Sequence, residues 1–176
     1  MQKRKTITQL LKEYDRGIRL DLGGGAVPQP DFINIDKRDL PQVHIVHDLE
    51  KFPWPLPNEC CSVIMASHLV EHINPHGGIF INFMNEAWRI MKPKGKFMIS
   101  HPYGVSSLYV GDPTHCNPCN DRTWIYFDPL SSQDPNGQLF SIYEPKPLKI
   151  EYTTWRPDGN MEVILSKRII NKRYAK

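Results

Sequence analysis

Nothing in the 176-residue sequence approaches the run of ~20 apolar residues that a membrane-spanning helix requires. The polar start, Met1-Gln2-Lys3-Arg4-Lys5, leads into no apolar core of the kind a secretory signal carries. Cysteine is scarce: four residues, two of them adjacent as Cys60-Cys61, do not make a secreted disulfide framework. They read as reduced thiols in a soluble, cytoplasmic protein without a membrane partner. Charge of one sign is also lacking, since 22 Lys and Arg stand against 19 Asp and Glu for a net +3. Part of that excess is terminal, in Lys3, Arg4 and Lys5 and in Lys172, Arg173 and Lys176. So weak a field argues against a nucleic-acid partner. No internal repeat or low-complexity segment occurs.

What is present is ordinary globular material, 40% hydrophobic and 23% charged. A chain of this length removes roughly 70% of its unfolded surface from water, enough for one core, and residues 1–176 are read as a single domain. Ile7, Leu10, Leu11 and Tyr14 follow helical spacing, with Thr6 and Gln9 placed as a capping box. Four strand-length apolar runs follow: Ile18 to Leu22, Phe32 to Asp36, Val43 to Val46 and Ser62 to Ala66. From Gly78 to Met91 the period becomes helical, and Lys92-Pro93-Lys94-Gly95 ends that helix before a strand at Lys96 to Ser100. Strands alternating with helices predict an α/β fold with a mostly parallel sheet. Residues 102–142, rich in proline, break the rhythm and read as an insertion forming a lid or substrate segment, with only Asp121 to Phe127 helical. Alternation in Leu148 to Thr154 and Met161 to Leu165 around Pro157-Asp158-Gly159 predicts a closing antiparallel hairpin.

The informative local pattern is Leu20-Asp21-Leu22-Gly23-Gly24-Gly25, at the end of the first strand, with a second strand ending in Asp36. Glycines there let a ligand approach the backbone, and ligands of open α/β sheets bind beyond the carboxyl ends of strands. A carboxylate ending the second strand can accept both hydroxyls of a ribose. Pro28 and Pro30 forbid the helix whose N-terminus would hold a dinucleotide's pyrophosphate, which argues against a nicotinamide-linked oxidoreductase.

These residues resemble the class I S-adenosylmethionine-dependent methyltransferases, which have a Rossmann-like fold. The likeness runs over about residues 17–101 and the closing hairpin. It rests on the glycine loop, on Asp36 in Ile33-Asn34-Ile35-Asp36, on Asp48 in His47-Asp48-Leu49-Glu50, on Cys61 to Ile73, and on Glu86 to Gly95. The resemblance implies S-adenosylmethionine as cofactor, held by Asp21, Gly23, Gly24, Gly25, Asp36, Asp48, Leu49 and Ser67. It also implies transfer of a methyl group to an acceptor. Two departures stand out: Val27 replaces a family glycine, and ten residues between Gly25 and Asp36 leave the first crossover helix short or missing.

Alignment of nucleophile, methyl and sulfur matters more to such a displacement than covalent help from the protein. A histidine can serve as base toward a hydroxyl. The candidates are His115, then His68, then His101. Trp124, Tyr126 and Phe127 read as liners of an acceptor pocket or as lid packing. His115-Cys116 with Cys119 makes half a zinc pattern that His101 or His47 could complete, but no second pair is visible and no metal is expected. Ala66-Ser67-His68-Leu69 stands where base-amine methylases carry an acidic or Asn residue and Pro-Pro-Tyr, so the expected acceptor is a small hydroxylated molecule. The competing reading is a catalytically silent module that binds S-adenosylmethionine or a nucleoside as a partner subunit or sensor.

Overall fold

The computed structural model describes residues 4–14 and 16–168. Of the terminal basic residues, Lys3, Lys172, Arg173 and Lys176 lie outside them. Helix α1 (Ile7–Glu13) opens the chain with the capping box its sequence encodes: Gln9 N–H donates to Thr6 Oγ1 at 3.3 Å and Thr6 N–H to Gln9 Oε1 at 2.7 Å. The strands are β1 (Ile18–Leu22), β2 (Ile33–Asp36), β3 (Ile45–Val46), β4 (Cys61–Ser67), β5 (Met91–Pro102), β6 (Leu148–Trp155) and β7 (Asn160–Lys167). They form one seven-stranded sheet in the order β3-β2-β1-β4-β5-β7-β6. Strands β1 to β5 run parallel, and β7 is antiparallel to both its neighbours. The architecture is the Rossmann-like α/β fold expected, and no helix occupies residues 23–32 between β1 and β2.

Strand β3 is shorter than the four residues its pattern predicts. The His44 ring accepts the Asn34 N–H through Nδ1 at 3.0 Å, so a side chain takes the place of a ladder carbonyl there. Helix α2 (Ile79–Ile90) matches its predicted period and ends where Met91 turns extended. The region 102–142 holds three one-turn helices, not one: α3 (Ser107–Val110), α4 (Asp121–Ile125) and α5 (Phe140–Tyr143). Ser106 and Asn120 cap the first two by accepting backbone N–H groups, a local signal that the proline count obscured.

The two faces of the sheet differ. On one, Leu20, Leu22, Ile33, Ile35, Ile64, Ala66, Phe97, Ile99, Val163 and Leu165 are all buried. Helix α2 covers them with Phe80, Phe83, Met84, Ala87 and Ile90. Trp124 and Phe127 complete this block, each packed on Phe80 at ring separations of 6.4 and 5.8 Å. The opposite face carries Met65, Met98 and Ile164 half-buried and Tyr152 exposed. The second half of the 102–142 segment therefore belongs to the core. Arg168 pairs with the buried Asp128 at 2.7 Å, Asp128 accepts the Ile150 N–H, and the Leu148 N–H donates to Phe127 O.

This asymmetry predicts opposite sensitivities. Phe83→Ala should lower unfolding free energy by about 3–5 kcal/mol, the usual size for deleting a fully buried aromatic ring. Tyr152→Ala on the open face should change it by only about 0.5 kcal/mol. Denaturant unfolding of the two variants checks both; equal losses would mean the two faces are equally sealed.

Candidate functional site

The carboxyl ends of β1, β2 and β4 converge on the glycine loop. Gly23 and Gly25 have φ of +69° and +57°, in the left-handed region that only glycine enters without strain. Gly24 lies flush against side chains: a Cβ there would strike the Asp21 carboxylate and come within 2.8 Å of Asn34 Oδ1. Asp21 is 3% exposed, and its Oδ2 accepts the Gln29 N–H at 2.8 Å. Burial raises its pKa, partly offset by that hydrogen bond. Asp21 thus ties the loop's return segment to the end of β1. The buried Asn34 donates to Gly25 O at 2.9 Å and to Gln42 O at 3.2 Å. Sequence reasoning did not single out Asn34, although an amide inside an apolar strand run is a visible signal.

Asp36 ends β2 and is joined to the loop by the Gly25 N–H donating to Oδ2 at 3.0 Å. Arg38 occupies the rest of the carboxylate, through its N–H at 2.8 Å and its guanidinium at 3.1 Å to each oxygen. Those four donors fill the acceptor capacity of a carboxylate. Burial pushes the Asp36 pKa up, but the hydrogen bonds and charge of Arg38 and the bond from Gly25 outweigh it, and the group lies below its usual range. The Arg38 side chain is 57% exposed and lies over the Gly25 Cα. Its hold on Asp36 is that of a surface ion pair, readily exchanged for another donor.

Asp48 and Leu49 follow β3, next to Asp36, whose carbonyl accepts the His47 N–H at 2.9 Å. Asp48 accepts the Glu50 N–H, and Leu49 O accepts from the Trp54 indole. Ser67 closes β4 opposite Ser100 and is exposed. All eight residues expected to hold a cofactor therefore lie on one edge. Val27 is 88% exposed, so its branched side chain intrudes on nothing in the loop.

The three histidines differ in surroundings. His68 follows Ser67 with φ +50° and a half-exposed side chain, its Nδ1 3.4 Å from Glu71 Oε1. The Glu71 carboxylate raises its pKa more than partial burial lowers it. Such a backbone is uncommon for a residue with a Cβ and aims the ring away from the strand line. His101 is fully enclosed beside Trp124, donates from Nδ1 to Pro102 O at 2.8 Å, and has its pKa lowered by burial. It has no exposed surface from which to take an acceptor's proton, because β5 carries it beneath the aromatic block. His115 is seated under the loop, its side chain 7% exposed and its Nδ1 2.8 Å from Tyr109 O.

Trp124 and Phe127 are 0% and 1% exposed and pack as core; Tyr126 and an edge of Phe127 border a cavity shared with Phe80, Ile81 and Tyr143. The cysteines do not assemble with His101 or His47. Among the described residues, the one cluster of metal-ligating type is Glu71, His72 and His115. Neither Glu71 nor His72 was among the ligands or bases that the sequence suggested. Glu71 is fully buried, and a buried glutamate directly after a strand is a signal only once its depth is known.

The strand order and the glycine loop define the Rossmann-like fold of the class I S-adenosylmethionine-dependent methyltransferases. Solved structures of that fold include an S-adenosylmethionine-dependent methyltransferase from Archaeoglobus fulgidus, 16% identical over 92% of this chain and 95% of that one, with a TM-score of 0.59. Another is such an enzyme from Mesorhizobium loti, 12% identical over 86% and 91% of the two chains, TM-score 0.50. A third is the trans-methyltransferase CalH in complex with S-adenosylhomocysteine, 13% identical, with 91% of this chain covering 54% of CalH at a TM-score of 0.54. At these identities the likeness is one of fold. No protein-family model and no curated protein sequence matches the chain.

The Asp36 contacts predict a pH signature. A carboxyl depressed in the fold adds stability that is complete above its unfolded pKa of about 4. That stability is lost as pH falls through the lower folded value. Arg38→Ala should move the Asp36 carboxyl back up and shift the acid limb of the stability profile to higher pH. Carboxyl-carbon NMR titration of both proteins checks it; an unmoved titration would remove Arg38 as the cause.

Proposed function

We propose that the protein is an S-adenosylmethionine-dependent methyltransferase acting in the cytoplasm on a small acceptor, at a hydroxyl oxygen. The observation that carries this reading is the triglycine turn at the end of β1, with Gly23 and Gly25 in the left-handed region, joined through the Gly25 N–H to the Asp36 carboxylate that ends β2. In this reading the triglycine backbone takes the cofactor's amino-acid end with Asp21 behind it, Asp36 takes the ribose hydroxyls, and Asp48 and Leu49 flank the adenine. The cofactor supplies an electrophilic methyl group on a sulfonium. For the ribose to reach Asp36, the Arg38 guanidinium swings outward while the Gly25 N–H stays in place.

The whole chain, residues 1–176, is read as one domain, and the 102–142 segment as its acceptor-side insertion. Within it, the exposed side chains Val105, Leu108 and Val110 favour 105–116 as the part that covers the acceptor. A cavity of about 520 Å3 lies between this stretch and the hairpin, bordered by Tyr103, Ser106, Asp121, Trp155 and Met161. That volume suits a small molecule, and its mixture of rings and hydroxyls suits a hydroxylated one. His68 is the best-exposed of the three candidate histidines toward this edge, with Asp158 of the hairpin turn in electrostatic reach. It replaces His115 as the preferred base, while His101 is left a supporting role behind the site.

A silent binding module is the second reading, and the observation that favours it is the complete occupation of Asp36 by its own chain. Calorimetric titration with S-adenosylhomocysteine, with NAD in parallel, tests the cofactor, and methyl transfer separates the two readings. The wild type should bind S-adenosylhomocysteine alone, and Asp36→Ala should weaken it by about 1–3 kcal/mol, roughly 5- to 150-fold. Binding of S-adenosylhomocysteine with no methyl transfer to any acceptor would favour the silent module, and binding of NAD alone would overturn both. His68→Ala should keep cofactor affinity yet stop label transfer from methyl-labelled S-adenosylmethionine to a panel of hydroxylated acceptors; full transfer would remove His68 as base.

A further inference from the structure

We infer that Glu71, His72 and His115 form a binding site for one divalent transition-metal ion of the zinc and manganese class. Their ligand atoms all lie within 4.8 Å of one another, a spread that an ion would tighten as it bound. Glu71 belongs to a 3-10 turn at Val70–His72, directly after β4, and is 0% exposed. Neither of its carboxylate oxygens has a hydrogen-bond partner. The nearest cationic group is His68 Nδ1, at 3.4 Å and without hydrogen-bond geometry. A buried carboxylate with no donor on either oxygen is strongly unfavourable unless a cation compensates it.

The two imidazoles are set for ligation by what holds their far nitrogens. His115 Nδ1 sits 2.8 Å from Tyr109 O, a pure acceptor, so Nδ1 carries the proton and Nε2 presents a lone pair. The Thr114 hydroxyl donates its proton to Asp112 Oδ1 at 2.7 Å, and so must accept from His72 Nδ1 at 3.3 Å. That leaves His72 its free lone pair on Nε2, while His115 Nε2 has Asp112 Oδ2 at 3.8 Å, beyond hydrogen-bond distance. Outer acceptors that fix the tautomer in this way are the usual surroundings of a metal-ligating histidine. The rings of His72 and His115 lie 4.7 Å apart.

The backbone holds the set together across 44 positions of sequence. The N–H groups of Cys116 and Asn117 both donate to Glu71 O, and the Asn117 side chain donates to Val70 O at 3.0 Å. The loop that brings His115 is thereby fastened to the turn that carries the other two ligands. Two imidazoles select a transition metal over magnesium or calcium, and two nitrogens with one carboxylate leave coordination positions open. His72 is exposed, so the open side faces the solvent edge. On the methyltransferase reading, which the ion site itself does not require, those positions would take the acceptor's hydroxyl oxygen and lower its pKa. The hydroxyl proton would pass to His68, 3.4 Å from Glu71, the oxygen's lone pair would form the new C–O bond, and the C–S pair would stay on sulfur.

The test is metal binding by the chelator-treated protein, free of cofactor. Zinc and manganese are titrated calorimetrically, and cobalt by visible absorption. One equivalent should bind, with a cobalt spectrum lacking thiolate charge-transfer bands. The exposed His72→Ala and the isosteric Glu71→Gln should each lose at least tenfold in affinity while Cys116→Ser does not, with folding checked by circular dichroism. No stoichiometric binding of any of the three ions would overturn the site and leave His68 as the counter-charge of Glu71. Thiolate bands, or affinity unchanged in His72→Ala, would also overturn it by moving the ion to the cysteines or elsewhere. S-adenosylhomocysteine titration of the same samples reads the methyltransferase assignment separately.

Discussion

The aromatic block of Phe80, Phe83, Trp124 and Phe127 against one face of the sheet is the contact on which the other features rest. It seals the apolar strand residues under α2 and draws the chain between β5 and β6 into the core. Each buried ring contributes roughly 1.5–3 kcal/mol by burial, enough to offset the entropy of ordering a proline-rich stretch with few regular hydrogen bonds. Because Trp124 and Phe127 are held, the residues just before them are held too, and the loop carrying His115 and Cys116 comes down on Glu71. The opposite face has no such cover, so strand residues such as Met98 and Ile164 stay half-exposed.

Where a crossover helix would stiffen the first loop, this chain uses buried polar side chains. Asp21 holds Gln29, Asn34 holds Gly25 and Gln42, and Asp36 holds Gly25 and Arg38. Each bond alone is modest, about 1 kcal/mol net. Together they fix a loop that admits no side chain at Gly24, where Asp21 and Asn34 pack against the backbone, and the absence of a helix is compensated by polar contacts from the adjacent strand. The same economy recurs at Glu71, whose backbone carbonyl anchors the insertion while its carboxylate faces His68, His72 and His115.

Much of this was legible before any coordinates. The periods of Ile79 to Ile90 and of the closing hairpin are strong because packing on one side imposes them. The cofactor-edge set was legible because glycine after a strand and an acid after the next are local patterns. Val27 and the missing helix were also visible as departures, though only the loop's surroundings tell that Val27 points to solvent. Asn34, Arg38 and Glu71 were missed, since their roles depend on partners 8 to 44 positions away in sequence or two positions along an irregular turn.

By itself the sequence determined the α/β class, the order of its elements, the helix caps and the glycine loop, all consequences of side-chain period and backbone freedom over a few residues. The tertiary structure alone decided which histidines are exposed and which are enclosed. It also made core of Trp124 and Phe127, and it brought His115 to Glu71 and His72 while leaving the cysteines apart. Those outcomes turn on burial and on contacts between distant segments, which local pattern does not encode and which closure of the aromatic block sets.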